Sequence, residues 1–290
     1  MTIDRVAAVL VNWNSAPDVL RTIGAIRAEY SGLTTVVVDN ASADDDWSQL
    51  AGSSCRDVVL DRLPENRGYA AGVNRALTIA KDRGLEWAWL LNPDALPYPG
   101  CLEQLLAWSD GCALLGPRQL SSSEPLSADA LPYVSAARSV GSRLVHETCP
   151  GCLTGHHNVH VVTGTGLLVH VDLAHAVGLM NEQFFHYKEE FEFAERLAAV
   201  AGVRYVCHAT LWHQSGGSMA HESPQANYYR VRNELLYLSL RLGRAWRTHG
   251  RTWRWVVRSA LDAFRAQPDS RRAILRGVAD GLRGRWGKVG

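Results

Sequence analysis

The chain lacks several features that would place it in large and familiar classes. No apolar run approaches the roughly 18 residues that a membrane-crossing helix needs, so no transmembrane segment is expected. The opening MTIDRVAAVLVNWN goes straight into a strand pattern, and Asn12 and Asn14 cut its apolar stretch too short for a secretory leader. Cysteine is sparse, with six in 290 residues, and without a leader this predicts reduced thiols in a cytoplasmic protein. The glycine fingerprint of a dinucleotide-dependent oxidoreductase is missing. Missing too, in VNWNSAPDVL, is the Gly-rich basic loop that a sugar nucleotidylyltransferase needs to hold a triphosphate. No internal repeat is visible.

What is present is an ordinary globular composition, 47% hydrophobic and 20% charged. The net charge of +1 conceals an asymmetry: residues 237–290 hold 13 Lys and Arg against 3 Asp and Glu, while residues 1–236 carry a balance of −9. The tail sets Trp246, Trp253, Trp255 and Trp286 among its arginines. A basic helix of this kind packs its Trp face on the body, makes peripheral contact with an anionic membrane surface, or meets a second copy as a homodimer. Nucleic acid is the least favoured partner, because the body is acidic.

Apolar runs at 6–11, 34–38, 58–60, 87–91 and 112–115 alternate with helical stretches at 15–29, 69–83 and 102–108. Ser15 is placed to cap the first helix. This alternation predicts an α/β fold with a parallel, doubly wound sheet. Residues 117–158 lose the pattern and read as an irregular insertion. Helices are expected again at about 172–177 and 188–201, a strand at 203–206, and helix from about 226 onward.

The run EWAWLLNPDA ends at a proline that cannot donate to a sheet, which puts Asp94 just past the carboxyl end of a central strand. A carboxylate there, with Asn92 two residues before it, suits a hard divalent cation over a diphosphate; an Asx-Pro-Asp turn is the plainer alternative. Asp39 ends the second strand and either accepts from a base or ribose or caps the following turn. Asn66-Arg67-Gly68 precedes a helix whose N-terminus either receives an anion or is a simple loop junction. Glu189, Glu190, Glu192 and Glu195 share one helix, where the helix dipole favours acids in the first turn. Phe184, Phe185 and Tyr187 just before them predict a partly buried start, where a carboxylate with a raised pKa can act as a base. His213, in LWHQSGGS, is either a satisfied structural histidine or a ligand suited to Mn²⁺. Cys149 and Cys152, with His156, His157 and His160, are either a zinc knot or reduced loop thiols.

In order along the chain, AVLVNWNS, VVVDNAS, PENRGYAAGVNRAL, LLNPDA, VVTGTGLLV, FFHYKEEFEFAERL, WHQSGGS and YYRVRNELL resemble the family 2 glycosyltransferases of the GT-A fold, especially the branch that includes rhamnosyltransferases. The resemblance runs from about Val6 to Leu236. It implies a GT-A domain over 1–236, with a nucleotide-binding half at 1–116 and an acceptor half at 117–236, followed by a helical tail at 237–290. It implies that Asn12, Asn14, Asp39, Asn66 and Gly68 surround the nucleotide, and that Gly164 and Thr165 face donor sugar and acceptor. Asn92 and Asp94 stand where the family has its metal motif, with Asp94 and His213 as ligands of Mg²⁺ or Mn²⁺. Arg230 and Arg232 lie where a basic residue meets the diphosphate. The base position of the family's acid pair is Glu190 here, where Asp is usual, and Glu189 is its partner; which of the two takes the proton stays open. The implied activity is inverting transfer from a dTDP- or UDP-sugar, with rhamnose or another deoxysugar favoured. The acceptor is a glycan, a lipid-linked glycan or a small metabolite, and the place of action is the cytoplasm or the inner face of the membrane. The rival is a non-catalytic homologue that binds nucleotide-sugar or glycan.

Overall fold

The computed structural model describes residues 3–52, 56–122, 125–126, 131–133, 136–140, 143–147, 155–162, 164–214 and 223–289. Cys149 and Cys152, and with them the zinc question, lie outside the described residues.

Four apolar runs build one half of the main sheet. β1 (Val6–Asn12), β2 (Thr34–Asp39), β3 (Val58–Arg62) and β4 (Trp87–Leu91) are parallel, in the spatial order β4-β1-β2-β3. β1, β2 and β4 are buried almost throughout, which is why they read as continuous apolar runs instead of alternating ones. Successive residues still serve opposite faces: Ala7 and Val9 join one core layer, and Val6, Ala8 and Leu10 the other.

The linking helices are α1 (Ala16–Glu29), α2 (Asp44–Gly52) and α3 (Tyr69–Asp82). α2 escaped the sequence reading because Leu50 is the one apolar residue it buries. Ser15 does not cap α1 with its side chain; its hydroxyl donates to Asp18 Oδ2 (3.0 Å), and Asp46 of α2 instead accepts the Ala16 N–H (2.8 Å).

The second half adds antiparallel pairs to the sheet. It contains β5 (Ala95–Pro97), α4 (Cys101–Ala107), β6 (Cys112–Ser121), β7 (Leu131–Tyr133), β8 (Ala136–Val140), β9 (Arg143–Glu147), β10 (His156–Asn158), β11 (Val161–Val162), β12 (Leu167–His170), α5 (Val171–Ala176), α6 (Glu189–Ala198) and β13 (Gly202–His213). The main sheet runs β10-β13-β6-β12-β4-β1-β2-β3, and β12 is antiparallel to both β4 and β6. The sheet is therefore mixed, with a parallel β6-β13 pair beyond β12. The insertion expected to be irregular contributes strands, and β8, β9 and β11 form a small antiparallel sheet of their own.

Three helices close the chain: α7 (Pro224–Leu242), α8 (Gly250–Arg265) and α9 (Pro268–Arg283). The boundary expected after residue 236 falls inside α7. α9 lies so close to α7 that a Cβ on Gly277 would come within 2.7 Å of the Tyr228 carbonyl oxygen. The tail is thus packed on the body by small residues at the crossing. Its tryptophans divide: Trp246 is buried, Trp255 donates to the Val231 carbonyl (3.4 Å), Trp286 packs beside Phe184, and only Trp253 is half exposed. Among the described residues no helix is long and apolar enough to cross a membrane.

Candidate active site

The parallel register places Asn12, Asp39 and Arg62 side by side at the carboxyl ends of β1, β2 and β3. The Asn12 carboxamide nitrogen donates toward Asp39 Oδ1 (2.8 Å), Ser42 Oγ (3.0 Å) and Asp46 Oδ2 (2.6 Å). Asp39 Oδ2 accepts the Ser42 N–H (3.1 Å) and pairs with Arg62 Nε (3.3 Å). Asn14 has a left-handed backbone (φ 53°); its N–H donates to Ser42 Oγ (2.8 Å) and its Oδ1 accepts the Ala43 N–H (2.8 Å). This corner is a closed polar network. Asn12 and Asp39 have no solvent exposure, so a direct hydrogen bond from Asp39 to a base requires the network to open.

The second cluster forms where β5 pairs with the end of β13, in a register that sets His213 opposite Ala95. That pairing brings His213 Nε2 to 3.2 Å from Asp94 Oδ1, and the Gln214 N–H to the Asp94 carbonyl (3.1 Å). Burial by itself would raise the Asp94 carboxyl, but the hydrogen bond and charge of His213 outweigh it and hold the carboxyl below its usual value. Asp94 keeps 35% side-chain exposure, against 7% for His213. A carboxylate and an imidazole side by side, one of them open to solvent, are donors that would suit two protein ligands of a divalent cation. Among the described residues no third His, Cys, Asp or Glu joins them.

The third cluster is the start of α6. Glu189 is buried, and its Oε2 has no hydrogen-bond partner. Burial, and then the charge of Glu190, raise its pKa well above the ordinary carboxyl range. Burial also raises Glu190, but backbone N–H groups and Lys188 oppose this. The two carboxyls titrate as a pair, and burial with their mutual repulsion disfavours a second charge there. The Tyr69 phenol ties the clusters together: its pKa is raised by burial first, then by Glu189, Glu190 and Asp94. One tyrosine at the start of α3 thus feels both the acid pair and the Asp94–His213 pair.

The loop before the acid pair is held in an unusual shape. Phe185, Tyr187 and Lys188 all have left-handed φ (64°, 71° and 76°), a region that costs non-glycine residues energy. α7 pays for this. Arg232 Nη2 donates to the carbonyls of Phe184 (2.8 Å) and Gln183 (3.2 Å), and Asn233 Nδ2 lies within 2.8 Å of the carbonyls of Phe184, His186 and Tyr187. α3 holds the other side: the Tyr69 N–H donates to the Phe185 carbonyl (2.7 Å). Gly68 (φ 90°) is required here, since a Cβ would collide with that same carbonyl.

Several expected roles change on this geometry. Arg232 has no solvent exposure and donates to loop carbonyls. Arg230 lies apart from it, its guanidinium 4.8 Å from the centre of the Tyr187 ring. Asn66 accepts the Gly68 N–H (2.9 Å), so Asn66 and Gly68 join α3 to the acid loop instead of presenting a free helix end. Thr165 is fully buried and its hydroxyl accepts the Asn92 N–H (2.6 Å); it fixes the strand end that carries Asp94 and faces no open crevice. Gly164 abuts the Gln119 amide, 2.5 Å from where a Cβ would sit. The sequence reading missed Asp46, Tyr69 and Asn233, and also Asn40, whose carboxamide bridges the Gly68 carbonyl (3.0 Å) and the Arg67 N–H (3.0 Å).

Residues 7–125 match the family described as Glycosyl transferase family 2. The chain is 26% identical over 205 residues to the low-salt glycan biosynthesis hexosyltransferase of Haloferax volcanii, a match that covers 67% of this chain but only 62% of that protein. It is 24% identical over 292 aligned positions to the N-acetylglucosaminyl-diphospho-decaprenol L-rhamnosyltransferase of Mycobacterium tuberculosis, covering 89% of this chain and 91% of the relative. Among solved structures it is similar to the mannosyltransferase PcManGT of Pyrobaculum calidifontis in complex with GDP-Man and Mn²⁺, with a TM-score of 0.59, 13% identity, and coverage of 96% of this chain and 87% of that one. At that identity the likeness speaks for the fold, which is of the GT-A type.

Proposed function

We propose that this chain, whose residues 7–125 form a glycosyl transferase family 2 domain, is an inverting, metal-dependent glycosyltransferase. The observation that carries the proposal is the convergence of two clusters on Tyr69: its phenol feels Asp94, the partly exposed partner of His213, and the Glu189–Glu190 pair at the start of α6. The first suits the diphosphate of a donor and the second the hydroxyl of an acceptor.

Glu190 is the base. It takes the proton from the acceptor hydroxyl while that oxygen bonds to the anomeric carbon, and the bond from that carbon to the diphosphate oxygen breaks. Burial raises the Glu190 carboxyl above the usual carboxylate range, which makes its carboxylate more basic toward the acceptor proton, and Glu189 lies beside it as the second acid of the pair. Asp94 and His213 hold Mg²⁺ or Mn²⁺, which when bound neutralises charge on the departing nucleoside diphosphate. Arg230, whose guanidinium lies over the Tyr187 ring, is the basic residue proposed for the diphosphate.

The relatives favour a hexose or deoxyhexose donor. The mycobacterial protein's name supports rhamnose and a polyprenyl-diphosphate-linked acceptor; the haloarchaeal one supports a glycan. A dTDP- or UDP-sugar fits this reading.

Calorimetry with dTDP, UDP and GDP, each with and without Mn²⁺, tests the site. One nucleotide is expected to bind in a metal-dependent way, and Asp94→Ala to weaken that binding by about tenfold or more. Full metal dependence in Asp94→Ala would remove Asp94 from the metal site. Binding without any detectable sugar transfer or donor hydrolysis would favour the non-catalytic alternative.

A further inference from the structure

α8 has one buried face and one that nothing in the fold covers. Thr252, Ser259 and Ala263 point inward. On the outside, Trp253 is 50% exposed, Val257 56%, Leu261 54% and Phe264 74%. At about 100° per residue these four fall in one strip about 80° wide. Elsewhere among the described residues the exposed large apolar side chains stand on separate elements: Trp13, Leu126, Val200, Leu240 and Leu275. Scattered exposure of that kind is normal, whereas a continuous strip marks a contact surface.

Beside the strip runs a row of cations. Arg254, Arg265, Arg258 and Arg251 occupy the next arc of about 60° on the same helix. Asp262 is the single acid on α8. A shallow groove lies between the two rows, floored by Val257 and Leu261 and edged by the stems of Arg254 and Arg258. The Trp253 indole N–H is already bonded to the Arg247 carbonyl (2.8 Å), which fixes the ring in place at the end of the strip.

We propose that α8 lies in the interface of an anionic lipid surface. Its apolar strip enters the acyl boundary, and Arg251, Arg254, Arg258 and Arg265 meet lipid phosphates. Charge decides against a second copy as the occupant. A two-fold contact across α8 would set four arginines against the same four, with one Asp from each copy to offset them. An anionic lipid surface complements both rows at once. The inference goes beyond the proposed reaction and does not depend on it, since α8 contributes no residue to either cluster around Tyr69.

The full-length protein is to be sedimented with vesicles of phosphatidylglycerol or of phosphatidylcholine, at low and high salt. Binding to phosphatidylglycerol is expected to be at least about tenfold tighter than to phosphatidylcholine, and to weaken with salt. Val257→Ser/Leu261→Ser/Phe264→Ser should lose about tenfold or more, and Arg254→Gln/Arg258→Gln roughly tenfold. Both variants should keep the wild-type melting temperature, because all five side chains are exposed. Failure of the wild type to bind phosphatidylglycerol at low salt overturns the proposal, and so does equal binding by the triple variant. A wild-type dimer that the triple variant converts to monomer, without vesicle binding, would assign the face to a second copy.

Discussion

Two polar clusters of the fold treat their groups in opposite ways. At the carboxyl ends of β1 and β2, Asn12, Asp39, Ser42 and Asp46 satisfy one another, and neither oxygen of either aspartate lacks a partner. At the start of α6, Glu189 is buried beside the half-buried Glu190, and one oxygen of Glu189 has no hydrogen-bond partner. The loop before them is strained at three residues and is held by hydrogen bonds from α7. A closed network makes a rigid shelf and resists change. An under-satisfied acid pair costs stability but keeps a carboxylate basic, as proton abstraction requires. Stability and chemistry are thus assigned to different clusters of one fold.

If the contrast is functional, its largest effect appears when the reactive cluster is silenced. Glu190→Gln removes the basic oxygen and little volume. Its kcat should fall roughly 10²–10⁴-fold, while the affinity for nucleoside diphosphate, measured calorimetrically, stays within about twofold. A variant that transfers sugar at the wild-type rate would move the base to Glu189 or to another group. Equal loss of binding and of rate would mean that Glu190 supports the donor site instead.

The other cluster should break in stability. Asn12→Ala deletes the donor that stands between Asp39 and Asp46, leaving two buried carboxylates facing each other across a small hole. An expected cost of about 3 kcal/mol follows from the orphaned acceptors and their mutual repulsion. Chemical denaturation measures it. A loss below about 0.5 kcal/mol would show that the network relaxes freely, and the contrast between the two clusters would lose its basis.

How much of this was legible depends on where each partner lies. β1, β2 and β4 could be read because strands covered on both faces are apolar throughout. The chemistry-bearing residues Asp94, His213, Glu189 and Glu190 were singled out by residue type and by motif order. Their neighbours were not. The strand pattern is legible only over 203–206 because the segment after it, Cys207-His208-Ala209, has no β-branched residue where the pairing shifts register. Arg232 is expected near the diphosphate by resemblance, and its partners include backbone carbonyls of residues 183, 184 and 287, which no sequence pattern reports. Thr165 was assigned to ligand for the same reason: its partner is the N–H of Asn92, reached only because β12 runs antiparallel to β4. Side-chain identity shows which chemistry is available, but it does not show which backbone groups use that chemistry up.

The smallest effect is also the one most particular to the strained cluster, and it turns on the sign of a pKa shift. Glu189 is an acid whose native pKa is raised, by burial first and by the Glu190 charge second. Between its unfolded value of about 4.3 and that higher native value, the folded chain keeps a proton that the unfolded chain has released. Stability therefore declines as pH rises through this window and levels off above it. Glu189→Gln carries no titrating group and lacks the decline. Variant and wild type should melt at nearly the same temperature at about pH 4, where both side chains are neutral. The variant should then gain progressively toward neutral and alkaline pH, reaching an advantage of about 1–3 kcal/mol once the wild-type carboxyl is charged. A scan of melting temperature against pH for the two proteins checks this. A variant less stable than wild type at every pH would mean that the Glu189 carboxylate is charged and well partnered in the native protein. The acid cluster would then be no less satisfied than the Asn12–Asp39 cluster.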